Sequence, residues 1–305
     1  MNIAVQTLAN GGLVAIPTET VYGLGAAINN EVAIAKIFVV KGRPQNHPLI
    51  VHLADIDQLH QVAHDIHPDA IKLAHACWPG PLTLLLQRNE NVSMSITGGR
   101  DTVAVRIPDN AFTRQLILDL GSPIAAPSAN RFGKVSPTTA QHVCDDLQND
   151  VDLIVDDGAS SIGVESTIID FSVSPPQLLR PGGIPIEDIE QILGYTIRDT
   201  DGISRASGML QNHYQPSCNV LLVFTDQEAQ QLKDTLVSQY ERVRILNRCD
   251  NLPLYATLLY SDLRQADTDL IQALIAVLPE NNGLGAAIRD RLTKAAGSGP
   301  PLPAS

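Results

Sequence analysis

No apolar run in the sequence approaches the ~20 residues that a bilayer-spanning helix needs. The first residues, MNIAVQTLANGG, lack the basic stretch and long apolar segment of a secretory leader, and the two absences together predict a cytoplasmic location. Cysteine is scarce, four in 305 residues. Cys77, Cys144, Cys218 and Cys249 form no CxxC, so neither a zinc ribbon nor a disulfide framework is expected, and the thiols read as reduced. Positive charge is in deficit: 21 Lys and Arg against 33 Asp and Glu leave a net charge of −12, which argues against a surface that binds nucleic acid over its whole extent. There is no GxxxxGK[ST], which excludes a P-loop, and no HxxEH-type zinc signature, so no metal-binding residues are expected. GVEST (163–167) is not the GxSxG nucleophile elbow, and no Ser/His/Asp order supports acyl-enzyme chemistry.

What is present is ordinary for a folded globular chain, 44% hydrophobic and 18% charged, and the length favours two domains. Short apolar or β-branched runs alternate with helical patterns, the signature of an α/β fold. Strands are expected at 13–16, 49–53, 82–87, 102–107, 123–127, 153–156, 166–171 and 177–180, too many for simple βα alternation, so the sheet is expected to be mixed. Helices are expected at 31–40, 68–77, 111–120, 138–147 and 185–193. A polar stretch without a clean period follows and reads as a linker over 198–218, leaving a first domain over 1–197. From Asn219 to Ala296 a small α/β domain is expected, with strands at 219–224, 243–246 and 256–260 and helices at 226–240, 268–278 and 284–296. The tail, 297–305, is rich in Gly, Pro and Ser and reads as disordered.

The chemistry-bearing stretches begin with PTETVYGLGAAI (17–28), whose GLGAAI recurs at 283–288. Neither copy completes the dinucleotide fingerprint G-x-G-x-x-G/A, because the sixth residue is Ile28 or Ile288. The second copy reads as a packed helix start, and the glycines of the first as a tight turn behind Thr20. Residues 1–200 hold 12 cations against 22 anions, yet Lys41, Arg43, Arg100, Arg106, Arg131, Lys134 and Arg180 gather in Gly/Pro/Ser-containing stretches. An acidic body with cations collected between apolar runs predicts a local anion pocket. KGRPQNHPLIVH (41–52) sets a compact ammonium and a forked guanidinium beside two prolines, a pairing suited to polyphosphate or carboxylate, and equally compatible with a solvated loop. In TVAVRIP (102–108), Thr102, Ala104 and Arg106 share one strand face and Val103, Val105 and Ile107 the other. APSANRFGKVSPT (126–138) has the composition of an anion-binding backbone nest or of a turn before a helix.

Taken in order, PTETVYGLG, KGRPxxHPLIVH, WPGPLT, TVAVRIP, APSAN, SPT, VESTIID and LRPG resemble the YrdC family of L-threonylcarbamoyladenylate synthases, over residues 10–195. SGMLQNHYQP (207–216) followed by a small domain ending in GLGAAIRDRLTKA resembles the two-domain form, so the implied architecture is a twisted mixed-sheet catalytic domain plus a small Rossmann-like C-terminal domain. The resemblance implies synthesis of L-threonylcarbamoyl-AMP from L-threonine, bicarbonate and ATP, with Mg2+ carried by the nucleotide and pyrophosphate released. This is the first half of N6-threonylcarbamoyladenosine formation at position 37 of tRNAs reading ANN codons. It implies a threonine pocket at Thr20, His52, Arg106, Ala126 and Ser166. It implies nucleotide contacts at Lys41, Arg43, His47, Thr102, Ser128, Asn130, Ser136, Arg180 and Tyr214, with Lys41 and Arg43 as the catalytic cations. The implied partners are the small-molecule substrates and a threonylcarbamoyl transferase complex that modifies tRNA, with at most a weak contact to tRNA itself and none to a membrane. Two alternatives stand beside it: a non-catalytic RNA-binding or ribosome-associated protein using the same basic face, and carbamoyl transfer through carbamoyl-adenylate, whose known carriers have extra domains for which this chain has no room.

Overall fold

A computed structural model describes residues 2–200 and 214–297; most of the expected linker and nearly all of the expected tail lie outside the described residues. The first unit is built on an 11-stranded mixed sheet. Its order is Arg198–Asp199, Gln177–Arg180, Thr167–Asp170, Leu82–Arg88, Thr102–Arg106, Ile50–His52, Ile124–Ala125, Gly23–Ala27, Val14–Ile16 and Leu153–Ile154, with Ala63–His64 paired beside Leu82–Arg88. Parallel pairs (Ile50–His52 with Thr102–Arg106, Leu82–Arg88 with Thr167–Asp170) occur together with antiparallel ones, so the sheet is mixed as expected. Arg198–Asp199, which the sequence reading gives to the linker, pairs in parallel with Gln177–Arg180 at the sheet edge.

Period-two alternation sorts the strands' side chains to two faces. Val51, Leu84, Val105 and Ile169 pack with Ile34, Ile37, Leu73 and Ile189 from the helices Glu31–Lys41, Pro68–Cys77 and Ile186–Leu193. Each fully buried side chain of this kind contributes roughly 1.5–3 kcal/mol relative to exposure. The other face carries a small apolar cluster, Ile50, Leu85, Ala104, Ile168 and Leu179. Between and beyond these lie buried polar side chains, among them His52, Thr83, Arg106, Ser166 and Arg180. One face of the sheet is therefore core and the other a platform for chemistry.

The glycines of the first GLGAAI are strand residues and do not form the tight turn expected. Gly23 and Gly25 lie in Gly23–Ala27, and a Cβ on Gly25 would sit 2.9 Å from Ile124 Cγ2 while one on Gly23 would sit 3.1 Å from Ala126 Cβ. They let neighbouring segments approach, and they bring Gly23 into an isolated bridge with Ser128.

The second unit is a parallel three-stranded sheet, Asn219–Val223, Ala273–Val277 and Val243–Leu246 in that order. Ile275 and Val277 meet the helix Asp226–Leu236 on one face, while Leu274 and Ala276 meet Leu252–Thr268 and Gly283–Ala296 on the other. Two expectations are overturned. Residues 256–260, read as a strand, belong to the 17-residue helix Leu252–Thr268, and residues 268–278, read as a helix, contain the central strand Ala273–Val277. The helix is begun by Asn251, whose side chain accepts from Leu254 N, with proline in the first turn. Its buried residues Tyr255, Ala256, Leu259, Tyr260, Leu263 and Ala266 recur at helical spacing. ALIAV is a short, wholly buried run, as a central parallel strand should be. Among the described residues, no helix is long and apolar enough to cross a membrane.

Candidate active site

Lys41, Arg106 and Arg180 each close an element: the helix Glu31–Lys41 and the strands Thr102–Arg106 and Gln177–Arg180. Gly42 ends the helix in the left-handed conformation (φ 63°), with its N–H on Val39 O and that of Arg43 on Phe38 O. Of the seven cations expected to gather, Arg43, Arg106 and Arg180 line the cavity on the platform face, whereas Arg100 donates to Asn46 O and Arg131 pairs with Asp150.

The cavity on that face is lined by Thr20, His52, Arg106, Ala126 and Ser166 together with Arg43, Ser128, Arg180 and Tyr214. The whole expected threonine pocket and part of the expected nucleotide site therefore share one enclosure. Its volume is about 50 Å³. Arg106 Nη1 donates to Thr20 Oγ1 at 2.7 Å, and Nη2 lies 2.6 Å from Glu19 Oε1 in an ion pair buried on both sides. That pair lacks hydrogen-bond geometry, and the Glu19 carboxylate has no hydrogen-bond donor among the described residues. His52 Nδ1 meets Ile50 O at 3.2 Å; burial, reinforced by Arg106, pushes its pKa down to about 3, so the ring is neutral at physiological pH.

On the other side, Arg180 Nε and Nη2 donate to Ser166 O at 3.1 and 2.9 Å, and Ser166 Oγ shares a 2.7 Å hydrogen bond with Thr83. Arg43 lies over the Phe132 ring at 5.8 Å and donates to Pro48 O at 3.0 Å; burial lowers its pKa to about 10, which leaves it charged. Tyr214 is wholly buried, holds φ 63° and stacks on Tyr260 with ring centroids 5.3 Å apart.

The remaining expected residues do not line the cavity. Lys41 Nζ donates to Ser128 O and Asn130 O, both at 2.5 Å, so its ammonium braces the 128–130 loop from beneath. Burial, then the charge of Arg43, holds its pKa well below the usual lysine value. Asn130 anchors the same loop through Lys134 O at 2.7 Å. Ser136 donates to Glu165 Oε1 at 2.7 Å. His47 meets Phe132 edge-on at 5.4 Å, and Thr102 begins its strand two residue pairs away from Arg106 on the same face. His213, expected beside Tyr214, lies outside the described residues.

Sequence reasoning missed Thr18 and Glu165, both of which line the cavity. Thr18 Oγ1 donates to Val21 O at 2.5 Å and meets Thr20 Oγ1 at 2.9 Å, fixing the turn that presents Thr20; the signal was the hydroxyl pair in PTET. Glu165 precedes Ser166 and also receives Tyr260 and Arg291 from the second unit.

Comparison with known proteins agrees with this arrangement. A family model for Sua5, YciO and YrdC proteins, described as telomere recombination, matches residues 6–182, and the C-terminal domain of threonylcarbamoyl-AMP synthase matches 184–297. The threonylcarbamoyl-AMP synthase of Pyrococcus abyssi is 41% identical over 97% of this chain and 94% of its own length. That of Bacillus subtilis is 39% identical over 96% and 92%. The crystal structure of P. abyssi Sua5 complexed with L-threonine superposes with a TM-score of 0.92 at 40% identity, covering 96% of this chain and 93% of that one. With both halves matched and the cavity built from the expected motifs, the chain belongs to the threonylcarbamoyl-AMP synthase family of enzymes, in the form that carries a C-terminal domain.

Proposed function

We propose that this chain, organised as a catalytic domain and a C-terminal domain joined by a linker, converts L-threonine, bicarbonate and MgATP to L-threonylcarbamoyl-AMP and pyrophosphate in the cytoplasm. The product then passes to a transferase complex that modifies tRNA. The observation that carries the reading is the joining of Thr20, His52, Arg106, Ala126 and Ser166 with Arg43, Ser128 and Arg180 around one cavity. Arg106 on the threonine side and Arg43 and Arg180 on the nucleotide side offer cations to a carboxylate and to phosphates. The relatives named as synthases favour catalysis over the RNA-binding alternative.

Threonine's carboxylate engages Arg106, its amine and hydroxyl reach Thr20 and Ser166, and its methyl rests on Ala126. His52, being neutral, offers a ring nitrogen without adding charge. The free amine adds to the carbon of CO2 drawn from bicarbonate and loses a proton, giving a carbamate. A carbamate oxygen then forms a bond to the α-phosphorus as the bond to pyrophosphate breaks. Little covalent help is needed, so catalysis consists of positioning and neutralisation of charge. Arg43 and Arg180 supply that neutralisation directly, and Lys41 supplies it while holding Ser128 and Asn130 against the phosphates; His47, Thr102 and Ser136 complete the nucleotide side. A cavity of about 50 Å³ is far below the ~300–1,000 Å³ of ordinary ligand sites. Tyr214 therefore withdraws for entry and closes over the nucleotide afterwards.

The test is incubation with MgATP, bicarbonate and threonine, following pyrophosphate and threonylcarbamoyl-AMP. Wild-type protein should produce both, with serine at least ~10-fold poorer because one methyl group in an apolar contact is worth about 1–3 kcal/mol. Lys41→Ala and Arg43→Ala should each abolish threonine-dependent release. An undiminished rate in either would remove that residue from the assignment, and no product from wild type would remove the function.

A further inference from the structure

A carboxylate on the wall of a cavity built for a triphosphate would repel its own substrate unless its charge were neutralised. Glu165 is such a carboxylate, lining the cavity one residue before Ser166. Both its oxygens are engaged: Ser136 Oγ donates to Oε1 at 2.7 Å, Tyr260 OH to Oε2 at 2.6 Å and Arg291 Nε to Oε2 at 2.9 Å. Two of these donors come from the helices Leu252–Thr268 and Gly283–Ala296 of the second unit.

Arg291 is wholly buried. Besides Glu165 it donates to Pro181 O at 2.7 Å, so one guanidinium spans the residue before Ser166 and the residue after Arg180. Arg264, from the same unit, grips the neighbouring loop through Val135 O and Ser136 O. The approach is built into the backbone. A Cβ on Gly163 would lie 2.4 Å from Thr257 O and 2.5 Å from Thr257 Cα, so the segment leading to Glu165 can lie against the helix only as glycine.

We propose that the C-terminal unit completes the nucleotide side of the active site. Tyr260 and Arg291 neutralise and fix Glu165, which positions Ser136 and keeps its own charge from opposing the phosphates. This rests on the function proposed above. Glu165, Tyr260 and Arg291 are then positioning residues. Glu165 is no proton acceptor: burial alone would raise its pKa, but Arg291, Arg180 and the two hydroxyls outweigh it and hold the value near 2.

The experiment uses the full chain and reads ATP affinity by calorimetry, KM and kcat for each substrate, and the melting temperature. Arg291→Ala should weaken ATP binding at least ~10-fold, with KM for threonine changing less than threefold. Tyr260→Phe should give a smaller loss of the same kind. Glu165→Gln added to Arg291→Ala removes the carboxylate charge that has lost its guanidinium and should restore most of the ATP affinity. Gly163→Ala, which touches none of the polar groups, should also weaken ATP more than threonine. Equal effects on both substrates that follow the melting temperature, or no rescue by Glu165→Gln, would overturn the proposal. If wild type binds ATP but releases no pyrophosphate, the proposed function fails while the ATP affinities still decide the role of Arg291. If wild type binds no ATP, both fail.

Discussion

Arg106 serves two anions: one Nη sits on buried Glu19, and the side chain also faces the cavity where a substrate carboxylate must lie. A lysine has no planar fork with which to address both. Arg106→Lys should therefore raise KM for threonine by at least ~10-fold, with KM for ATP nearly unchanged. Arg106→Leu goes further and leaves Glu19 without its cation. Breaking a buried pair from one side costs about 3–5 kcal/mol, so denaturant unfolding should detect it; an Arg106→Leu variant as stable as wild type would show that Glu19 takes no stability from this contact. His52 gives a pH dependence with a definite sign. Its pKa is lowered from 6.5 to about 3, so between those values the unfolded chain binds a proton that the folded one refuses. Stability therefore falls as pH drops from about 6.5 toward 3. His52→Asn should flatten that part of the stability curve, and an unchanged slope would contradict a buried neutral ring.

The hexapeptide GLGAAI forms a strand at residues 23–27 and a helix at residues 283–288. Local preference cannot decide between them, and the surroundings do. The first copy lies between Val14–Ile16 and Ile124–Ala125, where neighbours leave no room for a Cβ. The second follows Asn282 and packs Gly285 against Glu280 O, 2.1 Å from where its Cβ would be. Gly25→Ala, forced against Ile124, should destabilise by about 1–3 kcal/mol as overpacking does, read as a shift in the urea midpoint at constant slope. The same logic explains what was legible. Most strands of the large sheet could be read because alternation and β-branching mark them, and the cavity-lining Arg43, Arg106 and Arg180 because cations in an acidic chain are conspicuous, although the same signal marked Lys41, Arg100, Arg131 and Lys134, which do not line the cavity. The third strand of the small sheet could not, since ATLLY and ALIAV are equally apolar and only the Asn251 cap and the helical spacing of buried residues separate them. Glu165 escaped notice because what identifies it is its contacts with Tyr260 and Arg291, about a hundred residues away, to which no local pattern points.

The two units share more than a polar contact. Val21, Val135 and Val164 of the first pack in one buried cluster with Tyr255, Leu259, Tyr260 and Ile288 of the second, and Tyr214 lies among them. Glu165 and Arg291 sit beside that cluster with their charges buried. Separating the units would expose apolar surface on both and strip Glu165 of the Tyr260 and Arg291 donors, while Arg291 would keep only Asp290, so neither unit keeps its native environment once the other unfolds. At pH 7 the full chain should therefore melt in one transition, with calorimetric and van't Hoff enthalpies in agreement. Arg291→Ala removes one charge and leaves the Glu165 carboxylate with the Ser136 and Tyr260 hydroxyls and the charge of Arg180 only, which weakens the joint without touching either sheet, and its thermogram should split or broaden toward two transitions. Acid should act on the same joint. With the Glu165 pKa lowered from 4.5 to about 2, the contact contributes fully above about 4.5 and is lost as pH falls toward 2. Separation of the two transitions in wild type over that interval, and its absence in Glu165→Gln, would locate the coupling at this carboxylate. A single transition in Arg291→Ala at pH 7 would assign the cooperativity to the apolar cluster alone.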